Sequence, residues 1–158
     1  MINRLLLLFL IWPLANSLLP ADHTLVTVNI DKSIIYIGRH TMISICVEVE
    51  KGYHIQANTG NDESLIPTTL EVKVDKNFTV TKQEFPPSKQ FKLKGTDSFL
   101  KVYDGKFPIK LFLNPKTGLQ LGNYVLGARL QYQACDSKKC FFPRVFDFSI
   151  PVEVKIVK

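Results

Sequence analysis

The sequence predicts an all-β fold, and three observations carry that prediction. Apolar and polar residues alternate with period two through most of the chain after residue 22. No stretch keeps a helical period over three turns. Turn-forming groups divide the alternation at short intervals: Gly38-Arg39, Lys51-Gly52, Thr59-Gly60-Asn61-Asp62, Pro86-Pro87, Asp104-Gly105, Asn114-Pro115 and Gly122-Asn123. Seven or more short strands at such spacing point to an immunoglobulin-like antiparallel β-sandwich.

The elements follow in order. Val26, Val28 and Ile30 alternate with Thr27 and Asn29. Ile43, Ile45, Val47 and Val49 form an apolar face with Ser44, Cys46 and Glu48 opposite. Leu70, Val72 and Val74 repeat the pattern, as do Phe107, Ile109, Leu111 and Leu113, then Leu126, Ala128, Leu130 and Tyr132. Phe146, Phe148, Ile150, Val152, Val154 and Ile156 share one face of a last strand, with Asp147, Ser149, Pro151, Glu153 and Lys155 on the other. Pro108 and Pro151 fall on outward positions and predict edge strands or bulges. Lys51 to Pro67 and Ser88 to Asp97 are polar, contain glycine and read as long loops, where function concentrates. No internal repeat or low-complexity segment interrupts the chain.

The N-terminus reads as a cleavable signal peptide over residues 1–17, followed by a single domain over 22–158. Arg4 supplies the positive start, Leu5 to Trp12 the apolar run, and Ala15-Asn16-Ser17 the small residues for a cut after Ser17, with Ala21 as a later alternative. The apolar stretch is broken by Pro13 and Asn16 and is short for a span of about 20 residues, so an uncleaved anchor is the weaker reading. The expected location is the periplasm, with membrane contact only through the signal peptide. Outside the cytosol a disulfide forms and persists.

Composition fits a globular domain: of 158 residues, 46% are hydrophobic and 22% charged, which excludes a disordered chain. A chain this long buries roughly two-thirds of its unfolded surface, so its core needs neither a disulfide nor a metal. The formal charge of +6 falls near +5 without Arg4. Its lysines are scattered without an aromatic-interleaved basic run, so nucleic acid is not an expected partner.

The chemistry lies in Tyr132-Gln133-Ala134-Cys135-Asp136-Ser137-Lys138-Lys139-Cys140-Phe141-Phe142-Pro143. Four polar residues between the cysteines suit a hairpin loop that sets them opposite each other. A cross-strand Cα separation of about 4.5–5.5 Å is within reach of a disulfide. So short a loop yields roughly 2 kcal/mol in the chain-entropy model, against about 4.7 for a 100-residue loop. Lys138 and Lys139 favour thiolate, and Asp136 partly opposes them. On the residues alone, a redox pair and a passive hairpin staple both remain open.

Other residues carry weaker signals. Cys46 reads as a lone small apolar side chain covered by a loop rather than a reactive thiol. His54 reads first as a hydrogen-bonded loop histidine; His23 and His40 have no chemical context. Zinc is not expected, because the cysteine gap is wide and no matching pair accompanies it. No haem motif, phosphate loop or nucleophile elbow is present, and no cofactor is expected.

The segment from Tyr132 to Pro143 resembles the active-site signature of the N-terminal domain of the thiol:disulfide interchange protein DsbD. Lys51-Gly52-Tyr53-His54-Ile55 and Val102-Tyr103-Asp104-Gly105-Lys106 are similar to two further segments of that family, and the likeness runs from about Val26 to Val154. The resemblance implies an immunoglobulin-like periplasmic domain that relays electrons from a thioredoxin-like donor to disulfide isomerases and to thioredoxins of cytochrome c biogenesis. It implies that Cys140 is the attacking thiol and Cys135 the resolving one, that Tyr53 or His54 lines the site, and that Phe91 or Phe99 shields it. Tyr132, Lys138, Lys139 and Pro143 complete the implied surroundings. The best-known members have one more residue between the cysteines and are fused to a membrane domain and a thioredoxin domain. Here the donor, fed by a membrane electron carrier, is expected to be a separate protein. Two rival readings are an exported binding or adhesion module with an inert hairpin disulfide, and a chaperone-like sandwich using an exposed edge strand.

Overall fold

The structure, a computed structural model, describes residues 24–157. The signal peptide and its cut sites lie outside the described residues. Twelve strands are described: β1 Val26–Asn29, β2 Ser33–Tyr36, β3 Thr41–Val49, β4 His54–Gln56, β5 Thr69–Lys73, β6 Phe78–Glu84, β7 Lys89–Lys92, β8 Phe99–Tyr103, β9 Lys106–Pro115, β10 Gly122–Tyr132, β11 Ala134–Cys135 and β12 Arg144–Lys155. They form three four-stranded sheets, in the orders β1-β3-β9-β6, β2-β12-β10-β5 and β11-β4-β8-β7. Neighbours pair antiparallel, except β2 and β12, which run parallel.

The first two sheets make the sandwich. Period-two alternation turns Ile43, Ile45 and Val47 of β3 and Ile109, Leu111 and Leu113 of β9 to one side. They share one apolar cluster with Leu126, Ala128 and Leu130 of β10 and Ile150, Val152 and Val154 of β12. Each fully buried aliphatic side chain contributes about 1.5–3 kcal/mol. One parallel pair and a third sheet are added to the predicted antiparallel sandwich. The all-β class stands.

The prolines occupy local edges of internal strands. Pro108 of β9 faces Cys46 of β3, but β6 pairs with β9 only from Lys110 onward. Pro151 of β12 faces Val125 of β10, and the pairing with β2 begins at Val152. Each missing N–H therefore falls where the strand has one neighbour.

The two polar stretches read as loops are not wholly loops. Lys51 to Pro67 contains β4, and Ser88 to Asp97 contains β7. A three-residue strand is too short to display a period. In β7 only Phe91 is half-buried among Lys89, Gln90 and Lys92, so this edge strand reads as polar.

Candidate functional site

β4 organises the third sheet. Residues 50–53 form a turn in which the Tyr53 N–H donates to the Glu50 carbonyl at 3.1 Å, with Gly52 at a φ of 93°. That left-handed conformation favours glycine. The turn delivers His54, Ile55 and Gln56 between β11 and β8. In register, His54 faces Cys135, Ile55 faces both Ala134 and Tyr103, and Gln56 faces Val102. On the far side of β8, Phe91 faces Leu100 and Lys92 faces Phe99.

Alternation then sorts the side chains. Cys135, His54, Gln56, Val102, Leu100 and Phe91 share one face of the sheet. Ala134, Ile55 and Tyr103 share the other and join the core. Phe99 falls on that second face, 62% exposed, with the Lys92 ammonium 5.7 Å from its ring centre. Phe91 instead stacks on His54 with ring centres 3.9 Å apart. Of the two aromatics the sequence offered as a shield, register puts Phe91 on the cysteine side.

Cys135 and Cys140 are joined by a disulfide. The Phe141 N–H donates to the Ala134 carbonyl at 2.7 Å on one side, and the Asp136 N–H to the Lys139 carbonyl at 2.9 Å on the other. The cysteines are thus a non-hydrogen-bonded pair, the closer of the two antiparallel types. Their Cα atoms lie 3.8 Å apart, below the 4.5–5.5 Å expected of a regular ladder, because they form an isolated bridge at the mouth of a four-residue turn. Within that turn the Asp136 carboxylate accepts the N–H groups of Lys138 at 2.7 Å and Lys139 at 2.8 Å. These bonds, helped by the two lysine charges, hold its carboxyl below the usual range. Lys138 and Lys139 are exposed at the tip.

The two sulfur-bearing residues differ in access. Cys135 is fully buried. Cys140 is half-buried and borders an open cleft of about 440 Å³ lined also by Gln133, Lys139, Phe141 and Phe142. Phe142 stands 91% exposed at its rim. Phe141 packs inward against Tyr53 with ring centres 6.0 Å apart, beneath the Lys139 ammonium at 5.2 Å.

Two glutamines fasten this corner. The Gln133 side chain accepts the Ile66 N–H at 2.8 Å and donates to the Phe141 carbonyl at 3.0 Å, while its own carbonyl accepts the Gln56 N–H at 2.9 Å. Gln56, fully buried, points its amide nitrogen at the disulfide, 3.0 Å from Cys135 Sγ and 3.5 Å from Cys140 Sγ. The Thr68 hydroxyl donates to the Gln56 carbonyl, so the loop over residues 57–68 is tied at both ends. Tyr103 donates its hydroxyl to Asn58 Oδ1, and burial pushes that phenol up despite the Asn58 N–H it accepts. The turn after β7 is held to the cysteine loop by the Lys94 N–H, which donates to the Ser137 carbonyl at 3.0 Å.

His54 Nδ1 lies 3.5 Å from Asp104 Oδ2, too long for a hydrogen bond, and is buried without a hydrogen-bond partner among the described residues. Asp104 also pairs with Lys89. The ring is held by Phe91, not by the polar contact the sequence suggested. Tyr132 is buried at the end of β10, and Pro143 is exposed just before β12. Cys46 is half-buried on the outward side of β3, between Asn29 and Pro108 in register. Among the described residues no group of three or more His, Cys, Asp or Glu could hold a metal. Gln56 and Asn61 escaped the sequence reading, since a glutamine and an asparagine in a polar stretch carry no signal of burial.

Fold and site together define a β-sandwich with a small accessory sheet whose edge carries a hairpin disulfide. No protein-family model matches the chain, and no curated protein matches it. Among solved structures, the N-terminal periplasmic domain of ScsB from Proteus mirabilis matches at a TM-score of 0.50 and 17% identity, over 80% of this chain and 44% of that one. The DsbD N-terminal domain of Neisseria meningitidis in its reduced form matches at 0.43 and 13%, over 68% and 74%. AggA, the major subunit of an Escherichia coli aggregative adherence fimbria, matches at 0.38 and 14%, over 82% and 95%. The chain has the fold of the ScsB domain and spans less than half the length of that protein's chain. Among the described residues no helix is long and apolar enough to cross a membrane.

Proposed function

We propose that this chain is a periplasmic thiol–disulfide exchange module that passes electrons through the Cys135–Cys140 pair to or from thioredoxin-like proteins. The observation that carries the reading is the asymmetry of the disulfide: Cys140 opens on a cleft and Cys135 is sealed beneath it. An incoming thiolate reaches the Cys140 sulfur. It forms a mixed disulfide there, and the electron pair of the broken bond passes to Cys135. A second thiol of the partner then attacks its own sulfur in the mixed disulfide. The partner leaves oxidised and both cysteines here are left reduced. Read backwards, the same steps reduce a partner, with Cys140 attacking and Cys135 resolving.

The site's surroundings support exchange over a staple. A six-residue loop adds roughly 2 kcal/mol at most to a fold that has its own core. The exposed Phe142 and the lysines at 138 and 139 provide an apolar, cationic rim beside Cys140 on which a partner can rest. Phe91, stacked on His54 on the Cys135 face, supports the reading of that ring as the shield of the pair. The electron donor is a thioredoxin-like protein fed by a membrane carrier, and the acceptors include the thioredoxins of cytochrome c biogenesis.

Trapping tests the reading. A Cys135→Ala variant, mixed with a thioredoxin-like domain that keeps only its first active-site cysteine and carries it as a disulfide with thionitrobenzoate, should accumulate a mixed disulfide through Cys140 as thionitrobenzoate leaves. The Cys140→Ala variant should accumulate little through buried Cys135. Equal yields, or none from either variant, would leave the disulfide as the inert staple of a binding module.

A further inference from the structure

We infer that Gln56, by donating to the Cys135 sulfur, makes Cys135 a competent leaving group, and that Asn61 is the positioning residue that holds the Gln56 amide in the required orientation. The inference rests on the exchange reading and adds to it the group that sets the reactivity of the buried sulfur.

The orientation of both amides follows from backbone atoms whose roles are fixed. The Lys101 N–H can only donate, and it meets Asn61 at 2.7 Å, so the atom it meets is Oδ1. The other Asn61 atom is therefore Nδ2. It donates to the Lys101 carbonyl at 2.7 Å and to the Gln56 side chain at 2.6 Å. The Gln56 atom it reaches must accept and is Oε1. That leaves Nε2 facing the sulfurs, 3.0 Å from Cys135 and 3.5 Å from Cys140. The Gln56 backbone is fixed as well, its N–H on Gln133 and its carbonyl on Thr68. A buried glutamine clamped at every polar group presents its donor to a disulfide.

In the disulfide a divalent sulfur is a weak acceptor, and the contact gains little. The value changes during exchange. When a thiolate attacks Cys140, the sulfur–sulfur bond breaks and negative charge collects on Cys135, which is fully buried. An unsolvated thiolate there is a poor leaving group. The Nε2–H bond to it becomes charge-assisted as the charge forms, about twice as strong as a neutral bond. It is already in place, so nothing must reorganise. The same bond supports Cys135 as the attacking thiolate when it resolves a mixed disulfide.

The test uses the whole domain and dithiothreitol, so it needs no protein partner. Gln56→Met keeps the length of the side chain and removes the donor. Asn61→Leu leaves Gln56 in place and adds no charge, but it removes the donor that fixes Oε1, so Nε2 is no longer held on the sulfurs. Asn61 touches neither sulfur, so this second variant keeps the test decisive if Gln56→Met does not fold. Each variant should reduce roughly tenfold more slowly than the unaltered domain at equal dithiothreitol thiolate. In the reduced protein, the thiolate absorbance should titrate at higher pH in each variant, with near-ultraviolet circular dichroism unchanged. Unaltered rates and titration in folded variants would overturn the role of Gln56 and leave the exchange reading intact. A disulfide that dithiothreitol cannot reduce in the folded, unaltered domain would overturn both.

Discussion

The ladder between β3 and β9 holds eight consecutive register pairs, and that between β4 and β11 holds two. The long pair alternates aliphatic and polar residues and buries one side almost completely. The short pair buries Ile55 and Ala134 on the core side, and on the other side it buries a glutamine and a cysteine. The same pleat thus serves opposite ends. In the sandwich it gathers apolar surface, and in the accessory sheet it places donors, rings and sulfur at fixed spacings over a small area. Under the proposed exchange, the bond that opens and closes sits where few core contacts depend on it.

The comparison breaks if the two regions prove energetically inseparable. The largest expected effect comes from Leu111→Ala in β9, which leaves a cavity in the sandwich and should cost about 2–5 kcal/mol in denaturant unfolding. The dithiothreitol reduction rate of the molecules that stay folded should not change. Opening the disulfide should do the reverse: Cys135→Ala and Cys140→Ala each lower stability by no more than about 2 kcal/mol and abolish exchange. A loss much larger than that would make the hairpin part of the core's support.

A smaller effect separates the two aromatics of the accessory sheet. Phe91→Ala removes the ring stacked on His54 and should cost about 1 kcal/mol, while raising the rate at which dithiothreitol reaches the sulfurs. Phe99→Ala, on the other face and largely exposed, should change stability by less than about 0.5 kcal/mol and leave the rate alone. Equal effects on the rate would contradict the facing read from the register.

Most of the sandwich was legible because its strands are long. Ile43 to Val49, Phe107 to Leu113 and Phe146 to Val154 each repeat their alternation three times or more, and burial follows the period. The cysteine hairpin was legible too, from two cysteines flanking four polar residues, and the open side of the pair lies with Cys140. The accessory sheet was hidden for a physical reason. β4 spans three residues, β7 is a polar edge, and both sit in stretches whose composition is that of a loop. Gln56 could not be found from type alone, because its burial depends on partners supplied by Asn61, Thr68 and Gln133. Phe91 and Phe99 differ only by the face they occupy, which register decides and sequence does not.

The smallest expected effect is a pH dependence confined to the cysteine loop. The Asp136 carboxyl titrates below its ordinary 3.8 because the ionised form accepts two backbone N–H bonds. Its contribution is complete above the unfolded value and is lost as pH falls through the lower, folded one. The Lys138 and Lys139 amide protons should therefore lose protection from exchange only below about pH 4, with the sandwich amides unaffected. Loss of protection in both regions at once would tie the loop to the core.

The most direct measurement is a redox titration of the intact domain in dithiol buffers, with the fold followed by near-ultraviolet circular dichroism. The account predicts reversible reduction of Cys135–Cys140 at a potential within the thioredoxin-like range, about −120 to −270 mV, with the sandwich signal retained throughout. A potential far below about −300 mV, or a sandwich that unfolds as the bond opens, would contradict it.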